Sequence, residues 1–322
     1  MSAIKRVWRR LKKFNYANIA VYITLILISY QFIYPLLRML MTSLMSSRDV
    51  IDPTVNWIPK TWTFDNIRVA FNVLGIGRPL VDANGVLTNT LFNSLWWSVL
   101  LAFSQTLVTS LTGFAFARYH FKFKNFWFMM VIVSFILPTP IILIPRMMMF
   151  QTIQTTFGAQ MIGTVIPQLV LALTGQGVYS AILVLIFYNF TRMIPKALDE
   201  AASIDGASPA QVFYHVILKL SVTTLLVVFL FSFVWNWNET YITGTFLRDK
   251  VALMPNRLNM FTDLFAQYVQ GGAHALSPEQ NRINEAYKMS GTLLSIVPLF
   301  VIYLVVQRHF IKGIENAGIT GE

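Results

Sequence analysis

Six long apolar stretches constrain this sequence more than any other feature, because each can cross a lipid bilayer as a helix. A helix needs about 20 consecutive, mostly apolar residues to span the hydrocarbon core. The fourth stretch is interrupted at Gly175 and Gly177, and Pro167 could divide it further. The sequence therefore predicts an all-α fold, a polytopic membrane bundle of six transmembrane helices. The stretches lie at about residues 17–43, 88–117, 126–150, 161–190, 216–237 and 290–310.

Composition excludes several classes of protein. The chain is 55% hydrophobic and 12% charged, whereas soluble domains are about 45–50% apolar and about 25% charged. That difference excludes most soluble enzymes and a disordered chain. The absence of cysteine excludes a disulfide scaffold, a thiolate metal site and a cysteine nucleophile. The four histidines lie in separate segments, so the sequence indicates neither a metal site nor a catalytic triad.

The basic charge of the chain follows a membrane topology. A net charge of +11 suits either a nucleic-acid partner or a membrane protein, and the positions of lysine and arginine distinguish the two. Most of the excess lies in the N-terminal segment, in the loops after the second and fourth stretches, and in the tail. Because positive residues mark the cytoplasmic side, we expect an N-in/C-in arrangement. We expect contact with membrane lipid and no nucleic-acid partner, since no basic stripe is interleaved with stacking aromatic residues outside the stretches.

The stretches also divide the chain into regions. The first is interpreted as an uncleaved anchor, because its apolar run is too long for a signal peptide. In the second outer loop, the spacing of Leu258, Phe261, Leu264 and Phe265 predicts a short amphipathic helix, and QGGAHALSPEQN after it an exposed loop. We expect a cytoplasmic basic N-terminus at 1–16, a first transmembrane helix at 17–43, an extracytoplasmic loop at 44–87, a core membrane domain at 88–310 that includes an inner loop at 191–215 and an extracytoplasmic loop at 239–289, and a cytoplasmic tail at 311–322.

The inner loop has the sequence pattern of a folded docking element. Pro195 suits the first turn of a helix, and Gly206 suits its left-handed end. Ser208-Pro209-Ala210-Gln211 then forms a capping box that starts a second helix, which is predicted to continue into the fifth stretch. Asp199 and Glu200 offer carboxylates to an arginine of a partner. A simple connection between two spans would need fewer residues, so the pattern favours docking.

The same loop resembles a known family. Glu200-Ala201-Ala202, followed by Gly206-Ala207, is similar to the EAA motif in permease subunits of binding-protein-dependent ABC importers. LTNTLFNSLWWSVL and GFAFARYHFKFKN, which flank the second stretch, and Trp237-Asn238-Glu239 also resemble that family. The ending QRHFIKGIENAGITGE is similar to the carbohydrate branch, namely the smaller maltose-type permease subunit. The resemblance covers about residue 88 to the C-terminus. Lys219 departs from it, since the family often has proline there.

The resemblance implies the partners and the coupling residues. The coupling helix would dock into an ATPase subunit, within a complex of two permease subunits, two ATPase subunits and an extracytoplasmic solute-binding protein in the bacterial cytoplasmic (inner) membrane. This chain has no phosphate-binding GxxxxGK[ST] motif and is not expected to be an enzyme, so ATP and Mg would bind to the ATPase subunits and no cofactor to this chain. The region at 271–280 would reach the binding protein, and the tail would contact the ATPase or serve as a basic anchor. The implied coupling residues are Glu200, Ala201, Ala202, Asp205, Gly206 and Ala207.

Polar and aromatic residues within the stretches are candidates for the translocation path. Intramembrane polar side chains usually face the bundle interior, although they also join helices, and tryptophan is common at membrane interfaces. Arg146, near the outer end of the third stretch, could meet an anionic substrate. The candidates are Asn89, Asn93, Gln105, Tyr188, Asn189, Trp235, Asn236 and Asn238.

The resemblance implies import of a carbohydrate, an oligosaccharide in particular. The alternatives are an ABC permease for another solute, an ATP-independent channel or ion-coupled carrier, and a membrane-embedded enzyme. A carrier is expected to have carboxylates within its spans, whereas all 14 acidic residues lie in loops or tails, with Glu239 at the end of a stretch. An enzyme is expected to cluster His, Asp and Glu at one membrane face, and the sequence lacks such a cluster.

Overall fold

The computed structural model describes residues 16–81, 88–248, 250–271 and 285–318, with side chains described from residue 18 to residue 307 of these ranges. The all-α prediction is confirmed for this part of the chain, which contains helices and one isolated bridge between Met45 and Trp62. The helices are α1 (Tyr16–Ser43), α2 (Ser47–Ile51), α3 (Asp65–Leu74), α4 (Thr90–Arg118), α5 (Lys124–Ile136), α6 (Thr139–Phe157), α7 (Ile166–Leu173), α8 (Ser180–Met193), α9 (Lys196–Ile204), α10 (Pro209–Leu220), α11 (Val222–Asn238), α12 (Tyr241–Leu247), α13 (Met254–Asn259), α14 (Phe261–Gln270) and α15 (Glu285–Gly318).

The described residues form two compact units, and the smaller extends to Ala70 and includes residues 285–294. Most apolar side chains of α1 are exposed, as expected for a helix that faces lipid or another chain. The segment after α1 is fixed by Asn66, whose Nδ2 donates to the carbonyl oxygens of Ser43 at 3.0 Å and Met45 at 2.6 Å. The predicted outer loop at 44–87 therefore contains ordered structure, including α2.

The larger unit runs from Phe71 to Gly271 and resumes at Ser295. Its centre is α4, which packs against α8 and α11. Gly113 on α4 allows a close approach to α8, because a Cβ there would lie 2.9 Å from the backbone nitrogen of Tyr188 and 3.0 Å from the carbonyl oxygen of Val184. Small residues at helix crossings let backbones approach in membrane bundles. The larger unit contains both candidate sites described below.

The helices agree only in part with the six predicted spans. Three of them, α1, α4 and α15, are long and apolar enough to cross a membrane, and up to six spans exist if each bent helix pair counts as one. The predicted third span is wrong as a continuous helix, because α5 and α6 meet at 105°. Leu137 is extended there, since the following Pro138 disfavours a helical residue before it.

Two further breaks lie in the predicted fourth and fifth spans. The fourth is divided between α7 and α8 around Gly175, which has φ +73°, whereas Pro167 lies in the first turn of α7 and starts that helix. The predicted continuation of the second inner-loop helix into the fifth span is wrong, because α10 and α11 meet at 84°. At this bend Ser221 Oγ donates to the Ile217 carbonyl oxygen at 2.6 Å, a contact that often bends helices.

The predicted amphipathic helix in the second outer loop is present as two shorter helices, α13 and α14. Phe261 and Phe265 are buried, and Met260 ends α13. The predicted N-terminal segment, the exposed loop after α14 and the end of the tail lie mostly or wholly outside the described residues.

Candidate functional site

The inner loop folds as the sequence predicts, as a helix, a tight turn and a second helix. Helix α9 starts directly after Pro195 and ends at Ile204, with Asp205 as its C-cap. Gly206 follows with φ +87°, a left-handed conformation in which glycine has no Cβ penalty. Ser208 Oγ then accepts from the Gln211 amide, and the Gln211 side chain accepts from the Ser208 amide. The local capping signals therefore set the geometry of this corner.

An ion pair ties α9 to the main helix of the bundle. Arg118, the last residue of α4, places Nε 2.5 Å from Asp199 Oδ2, and its Nη2 donates to the Ile194 carbonyl oxygen at 2.7 Å. The contact with Asp199 is therefore an ion pair between two helices. The two side chains are 5% and 18% exposed. Burial raises the pKa of Asp199, and the positive charge of Arg118 opposes that shift.

The six predicted coupling residues divide between an exposed surface and the bundle. Ala202 and Ala207 are half-buried, and they pack on a cluster that contains Phe187 and Phe213. The other four predicted residues are exposed. The structure thus gives α9 one face that contacts this chain and another that is open to a partner. The exposed coupling residues are Glu200, Ala201, Asp205 and Gly206.

Two apolar residues on α9 were not among the candidates. Leu198 and Ile204 are exposed, and the Ile204 side chain is 86% accessible. Ala197, Ala201 and Ile204 follow a spacing of four and three residues, which is the signal that sequence analysis could have used to find an apolar stripe. Exposed apolar surface rimmed by charge is typical of protein interaction sites.

Two of the path candidates, Gln105 and Asn236, lie in a buried polar network. Gln105 Nε2 donates to the Val178 carbonyl oxygen at 3.0 Å and to Ser180 Oγ at 2.8 Å. Its Oε1 accepts from Ser232 Oγ at 2.6 Å and from Asn236 Nδ2 at 2.5 Å. Gln105 is fully buried. This network connects α4, the break between α7 and α8, and α11.

Four other candidates lie outside that network. Asn89 accepts from the Phe92 amide and caps α4, while buried Asn93 donates to the Ala252 carbonyl oxygen at 3.1 Å. Tyr188 contacts the ring of Phe128 and is half-buried, and Asn189 is exposed. The structure therefore does not bring all of the path candidates together.

Trp235 and Asn238, the remaining candidates, line a cleft of about 780 Å³ in the larger unit. Its walls come from the break between α5 and α6, the break between α7 and α8, and the junction of α11 with α12. Arg146 also lines this cleft, and its Nη2 donates to Gln176 Oε1 at 3.1 Å. The ring of Trp235 meets that of Tyr179 with centroids 5.1 Å apart. Two helix breaks and one helix junction thus surround a cleft that combines aromatic rings with polar groups.

The acidic side chain that lines this cleft is Glu239, which caps the N-terminus of α12. Its Oε1 accepts from the amides of Tyr241 and Ile242, and its Oε2 accepts from the amide and hydroxyl of Thr243. These four bonds use its acceptor capacity at a helix N-terminus, where negative charge is stabilised. Across the described residues, no group of three His, Asp or Glu side chains could hold a metal ion.

Comparisons with known proteins agree with this architecture. A family model described as "Binding-protein-dependent transport system inner membrane component" matches residues 105–316. The arabinooligosaccharides transport system permease protein AraQ of Halalkalibacterium halodurans is 28% identical over 293 residues, which are 90% of this chain and 91% of AraQ. The sn-glycerol-3-phosphate transport system permease protein UgpE of Shigella flexneri is 27% identical over 292 residues, with 88% and 91% covered.

A solved structure is similar over almost the whole chain. It is the crystal structure of a bacterial ABC transporter involved in the import of the acidic polysaccharide alginate. The match has a TM-score of 0.65 at 16% sequence identity, and it covers 96% of this chain and 99% of the solved chain. At that identity the likeness shows the fold.

Proposed function

Because this chain belongs to the family of binding-protein-dependent transport system inner membrane components, we propose that it is the permease subunit of an ABC importer that carries a carbohydrate, an oligosaccharide in particular, across the bacterial inner membrane. The name of AraQ, which matches nine-tenths of the chain, supports an oligosaccharide as the substrate. In this function the chain forms half of the translocation path and a second permease subunit forms the other half.

The observation that carries the coupling mechanism is the two-sided environment of α9. One side is anchored by the ion pair between Arg118 and Asp199, and the other exposes Glu200 and the apolar Ile204. An exposed carboxylate beside an apolar stripe suits a cleft on an ATPase that offers an arginine and an apolar wall. Closure of the ATPase dimer would then move α9 as a rigid body and shift the helices of the bundle.

The proposal includes a complete set of partners and an orientation. Two ATPase subunits bind ATP and Mg and dock on the inner loops, and an extracytoplasmic solute-binding protein delivers the sugar to the outer loops. Six spans with both termini in the cytoplasm put α9 on the ATPase side, in agreement with the distribution of lysine and arginine. ATP acts on this chain through contacts that differ between two states of the complex.

A second candidate is import of another small solute through the same architecture. It is favoured by the name of UgpE, which specifies sn-glycerol-3-phosphate and matches 88% of the chain. A purified complex whose ATP hydrolysis is stimulated by a binding protein loaded with one solute, and not by the other, distinguishes the two candidates. An ATP-independent channel or carrier would instead transport without the ATPase subunits.

The substitution Glu200→Arg tests the coupling step directly. We expect this change to prevent assembly with the ATPase or to uncouple uptake from ATP hydrolysis, because it places like charge opposite the partner's arginine. Uptake of labelled sugar and ATP hydrolysis are measured on the same complex in proteoliposomes. Glu285→Arg is the matched control, since Glu285 is also exposed and lies at the start of α15, far along the chain from the inner loop. Full transport by the Glu200→Arg variant would refute the docking of α9.

A further inference from the structure

The cleft at the α5–α6 break, the α7–α8 break and the α11–α12 junction contains a positive charge that forms no ion pair among the described residues. Arg146 lies on α6, after the break at Leu137, and lines the cleft. Its side-chain partner is the neutral amide oxygen of Gln176 at 3.1 Å, and none of the ion pairs among the described residues includes it. Arg146 belongs to the bent α5–α6 pair, which is apolar enough to cross a membrane, and a cationic side chain within a span is costly and usually functional.

The second charged residue of the cleft, Glu239, forms no ion pair with Arg146 among the described residues. The Glu239 carboxylate accepts four hydrogen bonds from the first turn of α12, including those from the amides of Ile242 and Thr243. Its charge is therefore directed at the helix N-terminus, which attracts anions. The carboxylate oxygens of Glu239 are thus occupied by α12, and Arg146 is the cationic side chain that lines the cleft.

Aromatic rings form the other half of the recognition surface. Tyr179 and Trp235 meet edge to face, with an interplanar angle of 68°, and both line the cleft. Sugar rings present apolar C–H faces that pack on aromatic rings, while their charged substituents need a fixed polar partner. The volume of about 780 Å³ lies within the range of about 300–1,000 Å³ that is typical of small-molecule sites.

We propose that this cleft is a binding site for an acidic carbohydrate, in which Arg146 binds a carboxylate of the sugar and the pair of Tyr179 and Trp235 packs on a sugar ring. The proposal rests on the proposed function as a sugar permease and deepens it, because it assigns the charge of the substrate. A guanidinium matches a carboxylate with two parallel hydrogen bonds, which a neutral hydroxyl cannot reproduce. A phosphate group also forms two parallel hydrogen bonds with a guanidinium, so a sugar phosphate is the competing anionic ligand.

The test measures binding to the purified complex of permeases and ATPases without the binding protein, so that the selectivity of the binding protein does not enter. Equilibrium dialysis compares trigalacturonate, its carboxyl-reduced neutral trisaccharide and galactose 1-phosphate. We expect trigalacturonate to bind most tightly, and Arg146→Gln to weaken it about 10- to 100-fold, as expected for a hydrogen bond to a charged group. The same variant should change binding of the neutral trisaccharide less than about twofold.

Three further variants keep the result interpretable. Arg146→Lys retains the charge and should retain part of the preference for trigalacturonate, which separates recognition from misfolding. Arg248→Gln is the matched control, because Arg248 is exposed at the end of α12 and does not line the cleft. Trp235→Ala should weaken the acidic and the neutral trisaccharide by similar factors.

Several outcomes would overturn the proposal. Equal affinity for the acidic and neutral trisaccharides, or binding of neither, would show that the cleft does not recognise a carboxylate. Tighter binding of galactose 1-phosphate would assign the site to a sugar phosphate. Arg146→Gln and Arg146→Lys could both reduce assembly of the complex while the assembled fraction keeps its preference for trigalacturonate. That outcome would assign Arg146 to an ion pair with the second permease. Each of these outcomes leaves the coupling experiment at Glu200 unaffected, so failure of this proposal is distinguishable from failure of the proposed function.

Discussion

Removal of Arg118 is expected to detach α9 from the bundle. The substitution Arg118→Gln leaves Asp199 as a largely buried carboxylate without its counter-charge. Breaking a buried pair costs about 3–5 kcal/mol, and we take the lower end because 18% of the Asp199 side chain is exposed. Loss of the bond from Arg118 to the Ile194 carbonyl oxygen adds about 1 kcal/mol. A total of about 4 kcal/mol corresponds to an increase of several hundred-fold in the local opening equilibrium of α9.

Hydrogen–deuterium exchange measures this opening directly. We expect the amides of residues 196–204 in the assembled complex to exchange several hundred-fold faster in the Arg118→Gln variant, up to the limit set by global unfolding. The amides in the middle of α4 should keep their protection. A change below about tenfold in α9 would mean that the ion pair does not anchor the helix, since about 1.4 kcal/mol already gives that factor.

The same variant predicts a dependence on pH. The pKa of Asp199 is raised in the folded chain by burial, and loss of Arg118 removes the charge that opposes this shift. Because a raised folded-state pKa favours the protonated acid, its stabilising contribution is complete below the ordinary aspartate pKa and is lost as pH rises through the folded pKa. Protection of α9 in Arg118→Gln should therefore increase as pH falls, after correction for intrinsic exchange. Asp199→Asn in the same background should remove this pH dependence.

Two substitutions test other parts of the framework. Gln105→Leu removes four hydrogen bonds, worth about 0.6 kcal/mol each between helices in a membrane. The thermal unfolding midpoint of the complex should therefore fall by clearly more than in Ser232→Ala. Equal midpoints for the two variants would contradict the network. Gly206→Ala forces a side chain into a left-handed conformation at a cost of about 1–2 kcal/mol, and it should reduce the uptake per ATP hydrolysed. Gly158→Ala is the control, because it has the same strain at the end of α6, with open space around it, and should leave uptake unchanged. Equal impairment by both variants would mean that the effect is not specific to the inner loop.

Local signals allowed the sequence to predict the inner loop in detail. The capping box at Ser208 and the left-handed Gly206 depend on neighbouring residues, so their geometry follows from the pattern itself. The breaks at Leu137 and Ser221 were not predicted, because an apolar run looks the same whether its helix is straight or bent. Proline at 138 was visible, but prolines also lie within continuous helices, as Pro35 and Pro298 do.

Contacts between distant segments could not be predicted from the sequence. Asp199 was interpreted as available to a partner, whereas in the fold it meets Arg118 at the end of another helix. Gln105 was a path candidate because intramembrane polar residues face the bundle interior, yet its amide is used by helices of this chain. A polar residue inside a span has the same pattern whether it joins helices or contacts a substrate, and tertiary structure separates the two.

The position of Arg118 means that α4 connects the inner loop to the cleft as one continuous helix. Arg118 and Gln105 lie on the same helix, and at 1.5 Å per residue they are about 20 Å apart along its axis. The C-terminal end of α4 holds α9 through Asp199, and the middle of α4 holds the chain at Val178 and Ser180, which line the cleft. We therefore expect a movement of α9 to reach the wall of the cleft through α4 without passing through a loop. Loss of either contact should leave ATP hydrolysis without a rearrangement of the cleft.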